Sequence, residues 1–187
     1  MLTAYHAVVS EAGVDVSTTV AIIGLGGLGS IGLRVAALQG ATVFGIDTDE
    51  SKFAAAYKNG AKSCFTCLEM AKDVALDVVV DFAGMSETMV AALGALKQGG
   101  RIVLVGLGSK ELNLASFPIV FRQVEIRCSL GGNKAELVTV LALISVGKLA
   151  PVLGEVRLPF GKLAESLHRL GGGKAVGRLF TRPNRTE

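Results

Sequence analysis

Short apolar runs alternate with longer stretches of helical spacing from Val20 to Gly108. Val20-Ala21-Ile22-Ile23, Thr42 to Ile46, and Ala75 to Phe82 with Val78-Val79-Val80 at its centre are apolar runs of strand length. Lys62 to Thr66 and Arg101 to Leu107 complete the set. Runs with so little polar alternation predict strands buried on both faces. Between them, Leu28, Ile31, Leu33, Val35 and Leu38 predict a helix from Gly27 to Gln39, ended by Gly40. Asp49 to Asn59 reads as a second helix, ended by Gly60. Thr88, Met89, Ala92, Leu93 and Leu96 predict a third, from Ser86 as its cap through Lys97, with Gly99-Gly100 as stop and turn. Strands and helices in this order predict the α/β class with a doubly wound parallel sheet.

Beyond Ser109 the pattern changes. Leu112 to Phe121 contains Pro118 and reads as partly irregular, and Val124 to Leu130 alternates apolar with polar residues as an edge strand does. Gly131-Gly132-Asn133 leads into a helix from Lys134 to Val146, closed by Gly147. After it come a strand from Val152 to Leu158, a helix from Phe160 to Leu170, a Gly171-Gly172-Gly173 turn and a strand from Val176 to Thr181, with no evident sheet partner. The division expected is a domain over residues 1–147 followed by a segment over 148–187.

The densest chemical signal is Gly24-Leu25-Gly26-Gly27-Leu28-Gly29, which follows a predicted strand and opens a predicted helix. In such a loop Gly24 allows the sharp turn, Gly26 removes a side chain that would block a pyrophosphate, and Gly29 lets the helix approach the sheet. The phosphates then meet the free N–H groups of a helix N-terminus. Asp47 follows the second strand, about 20 residues on, where an acid can take both ribose hydroxyls of an adenosine. Asp49 and Glu50 add negative charge, and Lys52 is the one nearby cation in sequence. A like-charge pair at 4 Å costs about 4 kcal/mol at an effective dielectric of 20, so an added 2′-phosphate is disfavoured and NAD is expected over NADP. Carboxyl ends of parallel strands are where ligands bind, which makes Phe82-Ala83-Gly84 and Val105-Gly106-Leu107 candidate walls of one crevice.

Composition narrows the classes of partner. The chain has 187 residues, half of them hydrophobic, and a net charge of +3 with scattered lysines and arginines. It has no tryptophan and two tyrosines, so basic patches interleaved with stacking aromatics are missing and nucleic-acid binding is not expected. No run reaches the roughly 18 apolar residues of a membrane span, and the first residues lack the pattern of a secretory signal. A cytoplasmic location is expected, which three cysteines without a framework spacing also fit. Cys64-Phe65-Thr66-Cys67 has the spacing of a redox or zinc half-site but no second pair, and buried or edge cysteines are the preferred reading. His6 and His168 each fall in a helix-like segment and read as structural.

Taken together, Leu2 to Ala7, Val20 to Gly29, Gly45-Ile46-Asp47, Asp77 to Gly84, Gly99-Gly100-Arg101 and Lys174 to Arg178 resemble the C-terminal half of zinc-dependent alcohol dehydrogenases of the medium-chain dehydrogenase/reductase superfamily. The resemblance implies a Rossmann sheet with a C-terminal segment that returns to a separate catalytic domain. It implies that Gly24, Gly26, Gly27, Leu28 and Gly29 hold the pyrophosphate, Asp47 and Lys52 the ribose, and Arg178 a phosphate. Thr3, Leu28, Val105, Gly106, Leu107 and Leu130 would flank the nicotinamide, with Ala83 in the same crevice. The edge strand near Val124 to Leu130 would pair subunits in a homo-oligomer. Family members carry zinc ligands and proton-relay residues before the position of Leu2, so zinc is expected only in a missing N-terminal catalytic domain, with no catalytic or metal residue in this chain. The function expected is NAD binding in hydride transfer to or from an alcohol. The alternative is a stand-alone NAD-binding or interaction module.

Overall fold

The computed structural model describes residues 1–151, 153–158, 163–172 and 178–181. It divides into two compact units, Met1–Leu149 and Ala150–Glu187. The first is a parallel sheet of six strands: β1 (Thr19–Ile23), β2 (Thr42–Ile46), β3 (Ser63–Phe65), β4 (Leu76–Asp81), β5 (Leu96–Leu104) and β6 (Glu125–Cys128). Their order is β3-β2-β1-β4-β5-β6, so the chain reverses direction across the sheet between β1 and β4. That reversal places the ends of β1, β2 and β4 around one crevice, as doubly wound sheets do.

Successive residues of β1 go to opposite faces, and both faces are covered. Val20 and Ile22 pack with α1 (Leu2–Tyr5), α2 (Gly29–Leu38) and α3 (Phe53–Lys58). Ala21 and Ile23 pack with Leu68 and Ala71 and with α4 (Ser86–Ala95). Burial on both sides is why the strands read as apolar runs instead of alternating. α2 lies close against the sheet because Gly32 has no side chain; a Cβ there would fall 2.6 Å from the Phe82 ring.

Several boundaries differ from the sequence reading, each for a local reason. Ser86 is the first residue of α4 and not its cap: Met85 precedes it in extended conformation, and the Thr88 hydroxyl takes the Met85 N–H at 3.2 Å. The helix stops at Ala95, because Leu96 already pairs with Leu76 and Lys97 reaches Asp77 at 2.7 Å. Gly99-Gly100 is therefore an irregularity inside β5, whose regular pairing with β4 resumes at Arg101. Gly99 has φ +72 and donates to the Arg122 carbonyl at 2.8 Å. The strand ends at Leu104, so Val105 to Leu107 form a loop. The Pro118 segment is a helix, α5 (Ser116–Phe121), with the proline in its first turn, where its missing N–H costs nothing. α6 (Lys134–Ser145) opens on Asn133, which accepts the Glu136 N–H while Glu136 accepts the Asn133 N–H.

The second unit contains β7 (Leu153–Leu158), α7 (Leu163–Gly171) and β8 (Arg178–Thr181). Its strands were expected to lack a partner, yet β7 and β8 pair with each other in parallel. The connecting helix makes that possible, as in any parallel crossover. Residues 174–177, which the resemblance also drew on, lie outside the described residues.

Candidate functional site

The glycine loop joins β1 to α2. Gly24 turns at φ +83 and its N–H goes to the Ile46 carbonyl at 2.8 Å, tying the end of β1 to the end of β2. Gly29 is buried, and a Cβ there would fall 1.8 Å from the Gly24 carbonyl oxygen. Gly26 is exposed, with no atom within 4 Å of an added Cβ. The first intrahelical bonds of α2 run from the Ser30 N–H to the Gly26 carbonyl and from Gly32 to Leu28. The Gly27 and Leu28 N–H groups have no acceptor among the described residues, which leaves donors facing solvent at the start of the helix.

Asp47 sits at the carboxyl end of β2 and is 8% exposed. Its carboxylate accepts the Leu25 N–H at 2.7 Å and the Asp49 N–H at 2.9 Å, and it pairs with the Lys52 ammonium at 2.8 and 2.9 Å. The acid is thus held against the glycine loop. Asp49 in turn caps the short 3₁₀ turn that carries Lys52, through the Ser51 N–H and hydroxyl at 3.0 and 2.6 Å. Around these groups a crevice of about 500 Å³ opens, lined by Gly24, Asp47, Lys52, Cys67, Ala83 and Thr88 among others. A neighbouring hollow of about 760 Å³ shares Leu68, Glu69, Glu87 and Ala91 with it but carries neither the glycine loop nor Asp47.

The loops after β4 and β5 form a second wall. A Cβ on Gly84 would lie 2.1 Å from the Gly106 carbonyl carbon, and one on Gly106 would lie 2.3 Å from that of Ala83. The loops therefore meet backbone to backbone, with the Gly108 N–H on the Ala83 carbonyl and the Ser109 N–H on the Gly84 carbonyl. Beyond them Leu107 and Leu130 project at 90% and 91% exposure. Thr3 is half-buried in α1, whose Leu2 side chain rests on Gly132: a Cβ there would fall 2.7 Å from Leu2 Cδ1. Thr3, the Val105–Leu107 loop and Leu130 are not among the residues lining the crevice at Asp47. The side chain of Arg178 lies outside the described residues.

Sequence reasoning did not single out Asp81, a fully buried acid. Its carboxylate takes the Ala83 and Gly84 N–H groups at 2.8 and 2.9 Å and the Thr88 hydroxyl at 2.5 Å, and so fixes the crevice wall. Its signal was available, since Asp81 ends the Val78-Val79-Val80 run as Asp47 ends β2. Cys64 and Cys67 stand in different surroundings: burial pushes the Cys64 thiol up, whereas Cys67 is exposed at the crevice. Among the described residues no three His, Cys, Asp or Glu side chains are grouped to hold a metal ion, and no helix is long and apolar enough to cross a membrane.

Known proteins share this fold. The chain is 27% identical over 193 aligned residues to the NAD-dependent alcohol dehydrogenase of Saccharolobus solfataricus, with 97% of this chain and 55% of that protein covered. The alcohol dehydrogenase of Aeropyrum pernix superposes with a TM-score of 0.87 at 29% identity, over 97% of this chain and 55% of the other. Acetophenone reductase from Geotrichum candidum, solved in complex with NAD, superposes with a TM-score of 0.88 at 30% identity, over 96% and 52%. The chain thus spans about half the length of the relatives it matches. Residues 27–146, running from the glycine loop to the end of α6, match the family of zinc-binding dehydrogenases, and the chain belongs to that family.

Proposed function

We propose that this chain is the coenzyme-binding part of an NAD-dependent alcohol dehydrogenase. The observation that carries the reading is the Asp47 carboxylate, held at the glycine loop by the Leu25 N–H and flanked by Lys52. Two acceptor oxygens beside free helix N–H groups fit a ribose diol followed by a pyrophosphate. The open space over Gly26 admits the phosphates, and Gly27, Leu28 and Gly29 present the helix start. A 2′-phosphate would meet Asp47, which favours NAD. The solved relative named as an NAD complex supports the same choice.

In this reading Ala83 walls the crevice, Thr3, Val105, Gly106, Leu107 and Leu130 flank the nicotinamide, and Arg178 meets a phosphate. The exposed Leu107 and Leu130 suit a flat, weakly polar ring. Bound nicotinamide supplies the hydride acceptor; the residues here hold and orient it. Zinc belongs to a catalytic half contributed by other residues, on which 148–187 would pack while 1–147 hold the coenzyme. Edge strand β6 has β5 on one side and no strand on the other among the described residues, which suits pairing with a second copy. The working location is the cytoplasm.

Titration with NADH and NADPH, followed by nicotinamide fluorescence, tests the proposal. NADH is expected to bind at least about tenfold more tightly than NADPH, and Asp47→Gly to erase that preference. Equal binding of both by the unaltered chain, or binding of neither, would overturn it.

A further inference from the structure

His6 lies at the junction of α1 with a π-helical turn, His6–Glu11, and faces a carboxylate from each side. Its Nδ1 is 2.8 Å from Oε1 of Glu136, in the first turn of α6, and its Nε2 is 3.3 Å from Oε1 of Glu11. Glu136 is 8% exposed and also accepts the Ser10 hydroxyl and the Asn133 N–H. Burial alone would raise its carboxyl, but the bonds from His6, Ser10 and Asn133 outweigh that and bring it down to about 2. It is therefore an anion at any working pH, and His6 is its one ion-pair partner among the described residues. Glu11 has a second cation, Arg127 at 4.0 Å, itself shared with Glu125, which also holds Arg101.

A neutral imidazole has one N–H to give, so one of the two carboxylates then faces a lone pair. An imidazolium donates to both. This bridge spans the two segments nearest the nicotinamide end of the coenzyme reading: α1, which carries Thr3, and the loop from Leu130 to Asn133, on which Leu2 rests. The other end of the π-helical turn is tied independently, by Arg101 Nη1 on the Ala12 carbonyl at 2.7 Å.

We infer that His6 is a positioning residue that clasps the Thr3 segment to the Leu130–Asn133 loop and tightens binding of the nicotinamide end of the coenzyme. The inference rests on the coenzyme assignment made above. Without the imidazole the Thr3 segment loosens, while the adenosine crevice, built from Asp47 and Lys52, is untouched.

Calorimetric titration of the unaltered chain and of His6→Ala with NADH and with ADP-ribose, at neutral pH, separates the two ends. ADP-ribose keeps the adenosine and pyrophosphate and lacks the nicotinamide. NADH affinity is expected to be about three- to tenfold weaker in His6→Ala, as for the loss of one hydrogen bond to a charged group, with ADP-ribose affinity level. His6→Gln keeps one donor toward Glu136 and should recover part of that loss. An equal loss for both ligands in His6→Ala, or no loss for either, would overturn the clasp alone. Failure of both ligands to bind would overturn the coenzyme assignment and the clasp with it.

Discussion

The adenosine end and the nicotinamide end of the proposed site are built by different means. At the adenosine end every group is fixed by a neighbour: Gly24 by Ile46, Asp47 by Leu25 and Lys52, Ala83 and Gly84 by Asp81. Most of those bonds use backbone N–H groups, which glycines and strand ends position without help from side-chain packing. At the nicotinamide end Leu107 and Leu130 stand in solvent, and the π-helical turn after α1 is held to the first turn of α6 by the side chains of His6, Ser10 and Glu136. The lesson is that recognition of the nucleotide can be complete within this chain, while the reactive end is framed by a side-chain bridge and by exposed apolar surface.

The largest expected effect comes from Gly29→Ala. Its Cβ would overlap the Gly24 carbonyl, so the loop must be rebuilt, with a loss of about 3 kcal/mol of stability in thermal or denaturant unfolding and no measurable ADP-ribose binding. Gly26→Ala separates binding from folding: with open space at that position, stability should change by less than about 0.5 kcal/mol, while affinity for ADP-ribose falls at least about tenfold. A Gly26→Ala protein that binds normally would place the phosphates elsewhere.

The smallest effect concerns the other end and acid. The folded carboxyl of Glu136 is at about 2, below its ordinary 4.5, so the unfolded chain binds the proton more readily. The stability this group contributes is present above pH 4.5 and is lost as pH falls toward 2. Glu136→Gln should flatten that part of the acid unfolding curve without altering ADP-ribose binding at neutral pH. An unchanged acid limb would show that the bridge contributes nothing to folding.

The sequence exposed the backbone-driven part of this design most clearly. The apolar run Thr42 to Ile46 matches β2 to the residue, and the glycine loop and Asp47 are legible from their spacing, because strand burial and a strand–glycine–helix turn leave patterns in neighbouring residues. Contacts distant in sequence were not legible. The parallel pairing of β7 with β8, the start of β5 at Leu96 and the His6–Glu136 bridge each join residues whose partners no local period identifies. Pro118 is ambiguous for the opposite reason: proline breaks a helix in its interior but not in its first turn, where it stands here. Asp81 lay in plain view at a strand end, and the same rule that selected Asp47 would have selected it.

The central claim is that the adenosine end is complete within these residues. Calorimetric titration of the chain with ADP-ribose at neutral pH tests it most directly. The account predicts saturable one-to-one binding that Gly26→Ala weakens and Glu136→Gln leaves unchanged. Absence of binding by the folded, unaltered chain would contradict it.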